Sequence, residues 1–247
     1  MNFSYNDGEL MAILLSREVR NGEISACGAL SQIPAAGLLL AQALHAPDAE
    51  LIILNSVFTP FTTSKSFHYL AQRGDLGLFF VSGVQIDQYG NYNLHQIGAN
   101  PDKPNMRFPG GYGGGMIYYA AQRSIIFRTE HTRRSLVEKV DFISAAGSTP
   151  PDVLRRGQPS KVVTPKANFR FDSQKARLIL DTIHRGLDYE DIRECTGFEL
   201  GVTAAPPTPE PSEEELTCLR EVVKEKMIAT NTYADWARKT LGNALHV

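Results

Sequence analysis

Long apolar runs are missing from this 247-residue chain. No window approaches the roughly 18 uninterrupted apolar residues that a membrane-crossing helix needs, so the sequence predicts no membrane span. The N-terminus also lacks a basic start followed by an apolar core, so no cleaved leader is expected. Cysteine is scarce: Cys27, Cys195 and Cys218 stand far apart, show no C-x-x-C spacing, and leave one unpaired whichever two are bridged. That pattern points to a reducing, cytoplasmic compartment. An excess of one charge is absent too, since 25 basic residues face 27 acidic ones for a formal net charge of -2. No global field draws nucleic acid or an anionic membrane, and neither is expected as a partner. His45, His68, His95 and His184 are isolated from one another, and no His/Cys/Asp cluster has metal-ligand spacing, so no metal site is expected. The single tryptophan, Trp236, falls in a predicted terminal helix over 232–241 and reads as a packing anchor.

What the chain does contain is an alternation of short apolar runs and helix-spaced segments. Leu10, Ile13, Leu14 and Val19 predict a helix over 5–21, with Asn6 and Asp7 as caps and Gly22 as its stop. Strands are predicted at 23–29, 51–54, 78–82 and 124–128. Helices are predicted at 34–45 and 63–72, with a short one beginning near Met116. Strands alternating with helices at this spacing imply an α/β fold, with an open, mainly parallel sheet and helices on both faces. Beyond Gly147 prolines punctuate a loop-rich stretch, 161–172 reads as two short strands, and 189–194 as a helical turn. Pro206, Pro207, Pro209 and Pro211 form a stiff spacer. After it, Ser212 with Glu213, Glu214 and Glu215 makes a capping-box helix start. The expected organisation is one α/β domain over 1–205, with the spacer and C-terminal helices of 206–247 packing on it.

Two stretches carry candidate chemistry. Gly110-Gly111-Tyr112-Gly113-Gly114-Gly115 puts five glycines in six residues ahead of a predicted helix. Such a loop brings bare amides close to a ligand, which suits a phosphate or a developing oxyanion; the plainer alternative is a crossing loop whose glycines serve tight packing. Upstream, 84–93 alternates apolar and polar residues around Tyr89-Gly90-Asn91 and reads as a strand that turns back on itself. Gln85, Asp87, Asn91 and Asn93 then either orient a polar substrate or satisfy the turn backbone.

Together these stretches, with the segment 131–143, the sequence His45-Ala46-Pro47-Asp48 and the segment Cys195-Thr196-Gly197-Phe198-Glu199-Leu200, resemble the β subunit of glutaconate CoA-transferase and its relatives among the class I CoA-transferases. The resemblance runs over roughly 6–226. It implies an open α/β sheet of the CoA-transferase (NagB/RpiA-like) type, an α-type partner subunit, and an acyl-CoA or related thioester as substrate. Coenzyme A then belongs to the substrate, and no bound cofactor is expected. In the family a glutamate just after the strand that follows the Ala-Pro-Asp segment attacks the thioester. That position falls on Leu54 here, with Asn55 and Ser56 next, and a leucine can be neither nucleophile, acid nor base. The catalytic residue on this chain is therefore unknown. The segment between Ser56 and the strand at Leu78 is also short for the family. Relatives that decarboxylate a methylglutaconyl-CoA carry a cysteine near the glutamate position, and ring hydrolases use a glutamate of the partner, whereas Cys27, Cys195 and Cys218 match other regions. Hydrolysis, decarboxylation or another carbon–carbon transformation is expected over CoA exchange. The alternatives are a non-catalytic subunit that shapes its partner, or an ordinary transferase under a different alignment.

Arg128, His131, Arg133 and Arg134 form a compact basic patch that would meet CoA phosphates, hold the partner, or simply face solvent. Glu130 and Glu138 read as structural, and Cys27 as a packed thiol.

Overall fold

The computed structural model describes residues 4–98 and 100–243. The chain divides into two compact units, one of 1–66, 76–80 and 209–247, the other of 67–75 and 81–208.

The first unit begins with helix α1 (Asp7–Ser16), opened by a reciprocal capping box between Asn6 and Glu9. It ends five residues short of the predicted end at residue 21, because Arg17 caps it and Val19 is carried into the core by a following turn. Strand β1 (Ile24–Cys27), helix α2 (Gln32–Leu44) and strand β2 (Glu50–Ile53) follow, and helix α3 (Ser64–Arg73) leads into strand β3 (Leu76–Val81). Strand β1 pairs in parallel with both β2 and β3, so Cys27 sits beside Ile53 on one side and Phe80 on the other. A strand flanked on both sides must be apolar along its length, and Ala26 and Cys27 are completely buried. The C-terminal segment belongs to this unit: α6 below starts at the predicted Ser212 cap, whose side chain accepts from Glu215.

The second unit holds short strands β4 (Gln85–Asp87), β5 (Tyr92–Asn93), β6 (Gln96–Ile97) and β7 (Met106–Arg107), then helix α4 (Gly114–Ala120) and strand β8 (Arg123–Phe127). Strands β9 (Leu136–Val137), β10 (Gln158–Val163), β11 (Ala167–Asp172) and β12 (Arg177–Ile183) follow, ending in helix α5 (Tyr189–Cys195). Strand β10 is parallel to β8, while β11 and β12 run antiparallel beyond it. The predicted turn-back at 84–93 is present as antiparallel β4 and β5. The C-terminal helix of the first unit is α6 (Glu213–Cys218), a π-turn (Leu219–Val223) and α7 (Lys224–Ala229), followed by α8 (Ala234–Thr240). The π-turn sets Arg220 against Glu9, whose side chain is fully buried and takes both Nε and Nη2 of Arg220 at 2.7 and 2.8 Å. The whole is mixed α/β with mainly parallel strands.

Candidate active site

At the C-terminal end of β2 the chain turns sharply. The Leu54 amide reaches the Cys27 carbonyl at 3.3 Å, and Leu54 is half-buried. Asn55 adopts a left-handed φ of 61°, a conformation that asparagine tolerates better than other side chains. The Ser56 hydroxyl donates to the Ile53 carbonyl at 2.7 Å and accepts from the Phe58 amide, so it serves the turn. Nothing in this turn is an activated nucleophile. Cys27 lies one strand away, but burial pushes its thiol well above the usual range, which keeps it un-ionised and inert.

In the second unit the polar residues of β4 and β5 are brought together, and they are used internally. Asp87 accepts four hydrogen bonds, from the Tyr89, Asn91 and Val140 amides and the Asn91 side chain, at 3.0–3.3 Å. Burial still lifts its carboxyl above the ordinary range against those four bonds. The turn-bracing alternative for Asp87 and Asn91 thus describes what their side chains do; Asn91 Oδ1 also accepts the Gly147 amide at 2.9 Å. The Asn93 amide donates to Gln85 Oε1 at 2.8 Å, and Gln85 reaches Asp141 with both ends. The role of Asp141 has no local sequence sign, since its partner Gln85 is 56 residues away.

The glycine loop is bent by positive φ at Gly110 (96°), Tyr112 (47°) and Gly113 (80°). The Gly110 amide is taken by the Leu94 carbonyl and the Gly114 amide by the Gly111 carbonyl, and the His68 ring lies against Gly113, which leaves Gly111 as the glycine of the loop with open space beside it. A Cβ at Gly111 would meet nothing closer than His95 at 3.9 Å, so there is room. Gly114 faces the Tyr92 hydroxyl, a buried donor with no hydrogen-bond partner among the described residues. Burial pushes that phenol far above its usual range, so it stays a neutral donor.

The expected basic patch comes apart. His131 is buried, with its ring nitrogens 2.7 and 3.0 Å from the hydroxyls of Thr164 and Thr196 and its ring packed on Phe169. Burial, helped by Lys166 and His184, holds it down at about 3, so it carries no charge near neutrality and is no surface cation. Arg128 and Arg134 share Glu130 at 3.0 and 2.6 Å, and Arg134 chiefly holds that carboxylate below its usual range. Arg133 donates to the Glu194 carbonyl at the end of α5 at 2.7 Å. With Arg177 and Arg193 it lines a cleft of about 410 Å³ that Glu138 and Glu199 also face. Arg193 in this cleft is itself paired with Glu190.

Among the described residues, no group of His, Cys, Asp or Glu has metal-holding geometry, and no helix is long and apolar enough to cross a membrane.

Residues 13–194 match the Coenzyme A transferase family model, and the chain belongs to that family. It is 26% identical to the B-type chain of glutaconate CoA-transferase from Acidaminococcus fermentans, over 89% of this chain and 93% of that protein. The crystal structure of that transferase superposes with a TM-score of 0.75, covering 88% of this chain and 94% of that one. The cholesterol ring-cleaving hydrolase IpdB subunit of Rhodococcus jostii is 27% identical over 58% of each chain. The decarboxylase AibA/AibB, at 21% identity, shares the fold with a TM-score of 0.75 over 87% of this chain and 93% of that one.

Proposed function

We propose that the chain is the β-type half of a heteromeric, cytoplasmic enzyme acting on an acyl-CoA or related thioester. Its reaction is hydrolysis, decarboxylation or another carbon–carbon transformation, and CoA exchange through a glutamyl thioester is not among its steps. The observation that carries this reading is the turn after β2: Leu54, at the position the resemblance gives to the nucleophilic glutamate, is followed by Asn55 and by a Ser56 hydroxyl already donated to Ile53. A hydrocarbon side chain cannot form the thioester intermediate. Coenzyme A enters as part of the substrate, and the chain holds no cofactor of its own.

An α-type partner is supported by the relatives, which are themselves named as subunits. The acyl end of the substrate is assigned to the Gly111 backbone, and a CoA phosphate to the cleft of Arg133, Arg177 and Arg193.

The test is affinity purification of the tagged chain from its source cells, mass-spectrometric identification of whichever subunit accompanies it, and incubation of the preparation with a panel of acyl-CoAs. A second subunit of the same family and release or conversion of one thioester are expected. A monodisperse monomer that turns over an acyl-CoA unaided contradicts the heteromer. Transfer of CoA between two carboxylic acids contradicts the reaction class.

A further inference from the structure

The hydrogen bonds around His95 single out a residue that neither the spacing of the sequence nor the glycine loop alone would. Ser144 Oγ accepts the Leu94 amide at 2.7 Å and lies 2.6 Å from His95 Nδ1. With the Leu94 N–H directed at the oxygen, the hydroxyl hydrogen of Ser144 has one acceptor among its described partners, the Nδ1 lone pair. When that hydrogen goes to Nδ1, the ring carries its proton on Nε2, and the pair then sets His95 as an Nε2–H donor. That edge faces the glycine loop: a Cβ on Gly110 would lie 3.2 Å from Nε2.

The arrangement is held from several sides. The Phe108 amide donates to the His95 carbonyl at 2.8 Å and the Gly110 amide to the Leu94 carbonyl at 3.2 Å, which ties the two segments together. The Ser144 amide donates to the Tyr92 carbonyl at 3.0 Å, fixing the hydroxyl opposite the ring. Phe142 packs on the imidazole with ring centroids 4.7 Å apart. A side chain oriented by a second hydrogen bond, backed by an aromatic ring and set against bare loop backbone has the construction of a preorganised donor.

We propose that His95 is a binding and catalytic donor, its Nε2–H directed to the thioester carbonyl oxygen of an acyl-CoA held against Gly111, and that Ser144 is its positioning residue. The proposal deepens the acyl-CoA reading above and rests on it. An N–H beside an apolar ring suits a carbonyl whose oxygen gains charge during attack, while the phosphates are better met by the arginines of the cleft.

The experiment measures binding of butyryl-CoA and of its thioether analogue S-butyl-CoA, which lacks only the carbonyl, to the protein purified with its accompanying subunit. The wild type is expected to prefer butyryl-CoA. His95→Asn, which removes the Nε2 position, loses about tenfold of butyryl-CoA affinity and leaves S-butyl-CoA unchanged. His95→Gln, whose amide nitrogen reaches the Nε2 position, keeps the preference. Ser144→Ala erodes it and Ser144→Thr restores it. In the ¹⁵N-histidine spectrum of the full chain, His95 is the Nε2–H tautomer, and Ser144→Ala turns it into a mixture. Wild-type affinity for butyryl-CoA in His95→Asn, or a protonated Nδ1 in the neutral ring, overturns the proposal and leaves the acyl-CoA reading standing. Binding of neither ligand by the wild type overturns both.

Discussion

Replacing single glycines of the 110–115 loop separates a backbone binding site from a mere crossing. Gly113 has a φ of 80°, and a Cβ there would lie 2.1 Å from His68 Nε2 and 3.1 Å from two further ring atoms. The histidine ring is the far end of a side chain and can swing away, but the left-handed backbone cannot be relieved. For a β-branched residue that conformation costs on the order of 1–3 kcal/mol. Gly113→Val is therefore expected to lower the melting temperature by about 2–4 °C for each kcal/mol in a chain of this size. Gly111 is the control, because its φ is not left-handed and a Cβ there has open space out to 3.9 Å. Gly111→Ala should stay within about 0.5 kcal/mol of wild type in stability. If the loop backbone approaches the thioester, however, the added methyl blocks it, and acyl-CoA affinity falls about tenfold or more. Differential scanning fluorimetry and titration with butyryl-CoA read both effects on the same preparations. Wild-type affinity in a normally folded Gly111→Ala, together with unchanged affinity in Gly113→Val, would refute the reasoning and reduce the loop to a crossing.

Other expectations follow from the same structure. Leu54 is only half-buried, so Leu54→Ala should cost about 1–2 kcal/mol, below the roughly 2–5 kcal/mol typical of fully buried leucines, and turnover should fall no further than that loss of folded protein explains. Arg220→Met strands the fully buried Glu9 carboxylate and should cost about 3 kcal/mol near neutrality, more than Glu9→Gln, which leaves a partly exposed guanidinium able to reach water. Burial raises the Glu9 pKa, but the Arg220 hydrogen bonds, backed by the Gly242 and Asn6 amides, leave it below its ordinary value, so the wild-type contribution is present above the unfolded pKa and is lost as pH falls through the folded one. In the Arg220 variant the same carboxyl is left with burial as the dominant influence and protonates early. The gap between the two proteins in urea unfolding should therefore narrow as pH falls from 7 toward 4; a constant or widening gap would contradict the assignment.

The alternation of strands and helices was legible because parallel strands flanked on both sides are apolar throughout, as Leu76–Val81 is. Strand β12 was not. Asp181 and Thr182 interrupt its apolar pattern, and a bulge at Asn168/Phe169 shifts its register with β11. At the site, the turn role of Asp87 and Asn91 could be named as an alternative because both partners lie within four residues. The Gln85–Asp141 and His95–Ser144 pairs, 56 and 49 residues apart, exist only once the chain is folded. His131 was read with its charged neighbours as a surface cation. Its environment is set instead by Thr164 and Thr196, 33 and 65 residues away. Local spacing carries the turns and caps, and long-range packing decides which polar side chains remain available.

The most direct test of the central claim is a search for a covalent intermediate on this chain. The preparation carrying the chain and its accompanying subunit is incubated with an acyl-CoA that it converts, treated with borohydride or hydroxylamine, and digested for mass spectrometry. If Leu54 stands where the resemblance puts the family glutamate, no carboxylate of this chain should be reduced to an alcohol or converted to a hydroxamate. A modified glutamate or a CoA adduct anywhere on the chain would contradict the account and restore an ordinary transferase.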